Sequence, residues 1–173
     1  MVDSMHTDTV KHTFDRIDRA IASFMRRWGV SFVRFAFAII FIWFGLLKPL
    51  GLSPAAPLVR STVAWMPFLS ADQWVAVIGW WEVAIGITFL FHATVRVAIA
   101  LLAMQMVGTF LPLFVAREIT FQPGRFPYAP TLEGQYIVKN LMIIAAAMMV
   151  GGTVREKRGA VGLQPPTAAR QKR

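Results

Sequence analysis

The stretch "WVAVIGWWEVAIGITFLF", residues 74–91, is eighteen residues long and contains one group able to carry a charge, Glu82. As a helix it would rise about 27 Å, close to the roughly 30 Å hydrocarbon core of a bilayer. Its apolar residues are continuous rather than alternating, which argues against a strand of a membrane barrel. The segment reads as a transmembrane helix. Three further runs read the same way: "VSFVRFAFAIIFIWFGLLKPL" at 30–50, "VRVAIALLAMQMVGTFLPLFV" at 95–115 and the shorter "YIVKNLMIIAAAMMVGG" at 136–152. The first starts too late, and is too long, for a cleaved signal peptide. The expected fold is all-α: a polytopic membrane protein with a four-transmembrane-helix bundle and an N-terminal amphipathic helix.

Composition agrees. Of 173 residues, 56% are hydrophobic and 16% charged, and mean hydropathy is +0.54. Soluble domains carry about 25% charged residues. The absence of cysteine excludes disulfides, thiol catalysis and thiolate metal sites. A net charge of +9 would ordinarily raise nucleic acid as a partner. Here the cations lie mostly outside the apolar runs, so lipid is the expected partner and nucleic acid is not.

The flanks set the expected orientation. Twelve Lys and Arg fall before residue 30, after residue 152 and in the turn between the second and third runs, against three in the loops 51–73 and 116–135. The positive-inside rule then places both termini in the cytoplasm. Three regions result: a cytoplasmic N-terminal segment at 1–29, a four-helix membrane domain at 30–153 and a basic, disordered cytoplasmic tail at 154–173. In the N-terminal segment Val10, Phe14, Ile17, Ile21, Phe24 and Trp28 recur at alternating steps of four and three, with arginines elsewhere on the wheel. Such a helix suits the headgroup layer or a partner protein. The first outer loop suggests a short helix or re-entrant piece over the bundle mouth. The second has turn signals and the aromatics Phe121, Phe126 and Tyr128, which suit either an interfacial belt or a lid.

Glu82 lies eight residues, about 12 Å, inside its helix and so near the bilayer midplane. A charge there costs about 2.5–3.5 kcal/mol even on the lenient insertion scale, so it should face protein. Gly79 and Gly86 share its face and permit close helix approach. Lys48, Gln105, Lys139 and Asn140 are the candidate neighbours, with both lysines reaching Glu82 from the outer side. Each also has a plainer reading. Lys48 and Lys139 could snorkel to headgroups, Gln105 could be interhelical glue, and Glu82 could be a purely structural ion pair. No catalytic residue or metal-ligand spacing is apparent, and the histidines are scattered.

The segments "VRFAFAIIFIWFGLLKPL", "GWWEVAIGITFLF" and "EGQYIVKNLMIIAAAMMV" resemble, in order, the first, second and fourth helices of the YkgB-type family of the DoxX-like superfamily. The resemblance covers roughly residues 30–153. It implies that Lys48, Glu82 and Lys139 are the family's intramembrane charges. The chain departs at Pro49, where an aromatic is usual, and at Asn140, where an aspartate is frequent; the second change would leave Lys139 more dependent on Glu82. The resemblance further implies a small multi-pass protein of the bacterial inner membrane, associated with quinone-linked redox complexes and oxidative-stress resistance. On that reading the chain is an accessory or quinone-interacting subunit, not an enzyme by itself. Its ligand would be a quinone or lipid, its partners membrane redox subunits or further copies of itself. The alternatives are a structural membrane subunit, or a small carrier of protons, ions or solutes.

Overall fold

A computed structural model describes the backbone of residues 2–161 and the side chains of residues 14–153. Seven α-helices and one short 3₁₀ turn make up the described chain, and four helical stretches are long and apolar enough to cross a membrane. The architecture is an all-α four-helix bundle.

The first helix, α1, runs from Val2 to Leu47. It passes through the boundary expected at 29/30 without a break. No proline interrupts it, and the one glycine at the boundary, Gly29, costs only about 1 kcal/mol relative to alanine. The amphipathic segment and the first span are therefore one rod, about 69 Å long at 1.5 Å per residue. Pro49 disfavours helix at Lys48, and the chain turns on Gly51 at φ +71°. Leu52 N–H donates to Leu47 O at 2.9 Å and Gly51 N–H to Lys48 O at 3.1 Å, the paired bonds of a Schellman cap.

In the loop after the first span a short helix, α2 (Ala56–Val63), packs on α3 (Ala71–Leu90). Ser70 and Gln73 close a reciprocal capping box at the start of α3, satisfying two otherwise orphaned N–H groups. After the 3₁₀ turn His92–Thr94, α4 spans Val95–Phe110. Pro112, without an N–H to donate, divides the third apolar run there and opens α5 (Pro112–Val115). A further short helix, α6 (Arg117–Thr120), leads into the loop before the fourth span, and α7 covers Leu132–Val161. The expected disordered tail is thus helical over its first residues; 162–173 lie outside the described residues.

The tightest pair is α1 against α3, where glycine makes contact possible. A Cβ on Gly45 would lie 2.8 Å from the Gly79 carbonyl oxygen, and one on Gly86 would lie 2.9 Å from the Ala38 carbonyl oxygen. Real side chains do not approach backbone so closely, so only small residues fit at these crossings. Below the seam, Phe37, Phe41, Ile85, Phe89 and Leu102 build the core, joined by Val150 from α7. Phe37 and Phe89 stack at 4.9 Å between ring centroids. Helix α7 lies against α4 and α1.

The loop between α6 and α7 folds on itself. Phe121 is buried and meets Phe126 edge-on at 4.8 Å, with the Arg117 guanidinium 4.9 Å over the Phe126 ring. Tyr128 is 89% exposed. The aromatic trio is therefore divided: two rings form the loop's own small core and one projects from it. At the start of α7 the Thr131 hydroxyl accepts from Gly134 N–H at 3.2 Å.

Candidate functional site

Glu82 is in the twelfth position of α3, mid-span, on the face that carries Gly79 and Gly86. A carboxylate at that depth is tolerable only with donors on both oxygens, and the fold supplies one from each neighbouring helix. Lys48, just beyond the last turn of α1, donates from Nζ to Oε2 at 2.5 Å. Gln105, on α4, donates from Nε2 to Oε1 at 3.1 Å. The lysine and glutamate side chains are 8% and 13% exposed. The cluster joins three helices and is largely shielded.

The lysine is placed by the glycine seam. A Cβ on Gly79 would lie 2.7 Å from the Lys48 Cβ, so α1 comes close enough there for the stem to run along α3. Glu82 is three residues, roughly 4.5 Å, deeper than Gly79. The stem therefore reaches inward to the carboxylate, instead of outward to headgroups.

The remaining sequence candidates are not part of this cluster. Lys139 was expected to reach Glu82 as a second cation. It is exposed, and its Nζ lies 5.2 Å over the ring of Tyr136, one turn earlier on the same helix. The reason is angular: the buried face of α7 carries Gly134, Ile137, Ala147 and Val150, and Lys139 projects away from it. Asn140 is half-buried but donates to the Tyr136 and Ile137 carbonyls of its own helix at 3.0 and 3.1 Å. The observed triad is thus Lys48, Glu82 and Gln105; a two-lysine pocket does not form.

A second polar clasp, not anticipated, closes the opposite end of the α1–α3 pair. Arg34 donates from Nε and Nη2 to the Phe89 carbonyl at 3.3 and 3.1 Å, and from Nη2 to Leu90 O at 3.1 Å. Its Nη1 lies 3.0 Å from His92 Nδ1. These are the last carbonyls of α3, which lack intrahelical partners and attract a cation. The available signal was a lone arginine five residues inside an apolar run.

Two open grooves lie elsewhere. One of about 420 Å³ is lined by Ala103, Met106, Phe110 and Phe114, and one of about 520 Å³ by Ser61, Phe114, Arg117 and Glu118. Neither is lined by a member of the triad. Chemically, the triad can hold helices in register. To bind anything at Glu82, a ligand must first displace Lys48 or Gln105. No family model, curated protein or solved structure matches this chain.

Proposed function

We propose that the chain is a DoxX-like, multi-pass subunit of a bacterial inner membrane, with both termini cytoplasmic, that serves a redox-linked or oxidative-stress system as a structural accessory. One observation carries the structural part of this reading. Both oxygens of Glu82 are occupied by donors from within the protein, and the pair is nearly sealed. A site kept for a quinone headgroup needs convergent polar groups beside open volume, and a relay carboxylate needs a route to water; the closed triad favours neither. The redox link rests on the resemblance of the three helical segments, and the orientation on the distribution of cations in the flanks. Since the chain has no cysteine, electron transfer by thiol chemistry would belong to a partner.

Purification in mild detergent, followed by identification of bound subunits and extraction of quinones, tests the proposal. The expected result is co-purification with at least one other membrane subunit and no stoichiometric quinone. Stoichiometric quinone that disappears in Glu82→Gln would overturn it in favour of a ligand site.

A further inference from the structure

From Phe14 to Trp28, α1 has left the bundle. Every residue of this stretch except Ala22 is exposed, and packing against the core begins at Val30. Phe14, Ile17, Ile21, Phe24 and Trp28 are among the exposed side chains, Phe14 at 72% and Trp28 at 47%. At 3.6 residues per turn they fall within an arc of roughly 100°. Farther along the same helix, Phe32, Phe35, Ile39 and Trp43 are exposed and fall within that same arc. One apolar stripe therefore continues from the free segment down the outward side of the span.

That coincidence has a geometric consequence. If the free segment tilts away from the bundle, the side that faced outward along the span turns down onto the bilayer. A stripe on the opposite side would be turned to water by the same tilt. Gly29 stands where the helix departs, and a Cβ there would meet nothing within 4 Å, so the bend is not obstructed. Arg16, Arg19, Arg26 and Arg27 outnumber Asp15 and Asp18 on the remaining faces, which suits anionic headgroups. A second copy fits less well. The charges flanking the stripe, Arg27 and Asp18, are nine residues or about 13 Å apart along the axis, too far to pair across a parallel dimer.

We propose that residues 14–28 form a membrane-surface arm, hinged at Gly29, whose partner is an anionic lipid surface. The chain's lack of cysteine makes the test direct. Single nitroxide labels at Ile17→Cys and Phe24→Cys, on the stripe, and at Ser23→Cys, on the far side, are introduced into the full chain. The protein is reconstituted in vesicles of phosphatidylcholine and phosphatidylglycerol in equal parts, and collision with oxygen is compared with collision with a water-soluble nickel chelate. The stripe labels should favour oxygen several-fold over the Ser23 label, and removing phosphatidylglycerol should reduce the difference. Gly29→Ala, which stiffens the hinge, should lower the surface-bound fraction by up to about fivefold. Stripe labels as accessible to the chelate as Ser23, or protection unchanged without anionic lipid, would overturn the proposal. So would spin–spin broadening at Phe24→Cys that vanishes on dilution with unlabelled protein, because the stripe would then be covered by a second copy.

Discussion

Lys48→Met separates a structural clasp from an ornamental contact. The substitution keeps the stem's length and removes the ammonium, leaving Glu82 with the Gln105 amide as its remaining partner. Breaking a buried pair from one side costs about 3–5 kcal/mol, and an unmatched charge at mid-span costs about 2.5–3.5 kcal/mol on the insertion scale. A loss near 3 kcal/mol is therefore expected. For chains of 150–250 residues each kcal/mol moves Tm by about 2–4 °C, so helix melting in mild detergent should fall by about 6–12 °C. Replacing both partners, Lys48→Met with Glu82→Leu, removes the desolvation penalty together with the attraction. Apolar substitution of a whole buried pair is neutral or stabilising by about 1–4 kcal/mol, offset by about 1–3 kcal/mol for the orphaned Gln105 amide. The double variant should melt near the parent, so the coupling energy should equal the two single losses added together, about 6 kcal/mol if Glu82→Leu costs as much as Lys48→Met. Coupling below about 1 kcal/mol, the level of an exposed ion pair, would refute the reasoning, as would a double variant as unstable as the two single losses added together.

Gly79→Ala should destabilise by about 1–3 kcal/mol through overpacking of the α1–α3 crossing, while Gly108→Ala, where a Cβ meets nothing within 4 Å, should melt at or slightly above the parent, by up to about 1 kcal/mol of helix propensity. Arg34→Met removes the donors from the Phe89 and Leu90 carbonyls. It should cost about 1–3 kcal/mol and raise hydrogen exchange in the turn around 91–95 more than in the middle of α3. Lys139→Gln, at an exposed position, should change stability by less than about 0.5 kcal/mol; a loss comparable to that of Lys48→Met would show that α7 contributes a second cation to the cluster after all.

The four spans were legible because hydrophobic length is a one-dimensional signal: "WVAVIGWWEVAIGITFLF" declares its state without its neighbours. Glu82 was legible for a related reason, since the cost of its burial can be stated before any partner is known. Which partners it takes is a different kind of fact. Lys48 and Lys139 both lie near span ends, yet only Lys48 is carried against α3, by a glycine crossing that needs residues on two helices to be read together. Lys139 fails by rotation: from 141 to 152 the exposed and buried faces of α7 are apolar alike, so composition does not say which way its lysine projects. Arg34 finds its acceptors at the end of another helix, the Phe89 and Leu90 carbonyls, a pairing that the apolar length of its own run does not reveal. The boundary at 29/30 marks a change of environment, while backbone continuity is set by the residues themselves, and none there stops a helix.

The two polar clasps also answer a problem that the glycine seam creates. In the observed register Gly45 faces Gly79, and Gly86 faces Ile42 and the Ala38 carbonyl, so Gly45–Gly79 and Ala38–Gly86 recur at an interval of seven residues on each helix. A seam with that repeat matches itself after sliding. Moving α1 by seven residues toward its C-terminal end would set Ala38 against Gly79 and Ser31 against Gly86, still small against small. Apolar packing alone therefore discriminates weakly between the two registers. The charged contacts discriminate strongly. The same slide carries Lys48 about 10 Å along the helix axis, past the reach of Glu82, and withdraws Arg34 from the last carbonyls of α3. Each loss leaves a buried or terminal polar group unpaired in a medium that offers no water. Specifying register is the best-attested use of buried polar groups in helical assemblies. On this argument Glu82 is retained at mid-span because glycine lets the helices meet closely but does not say where, and the clasps at either end of the seam do.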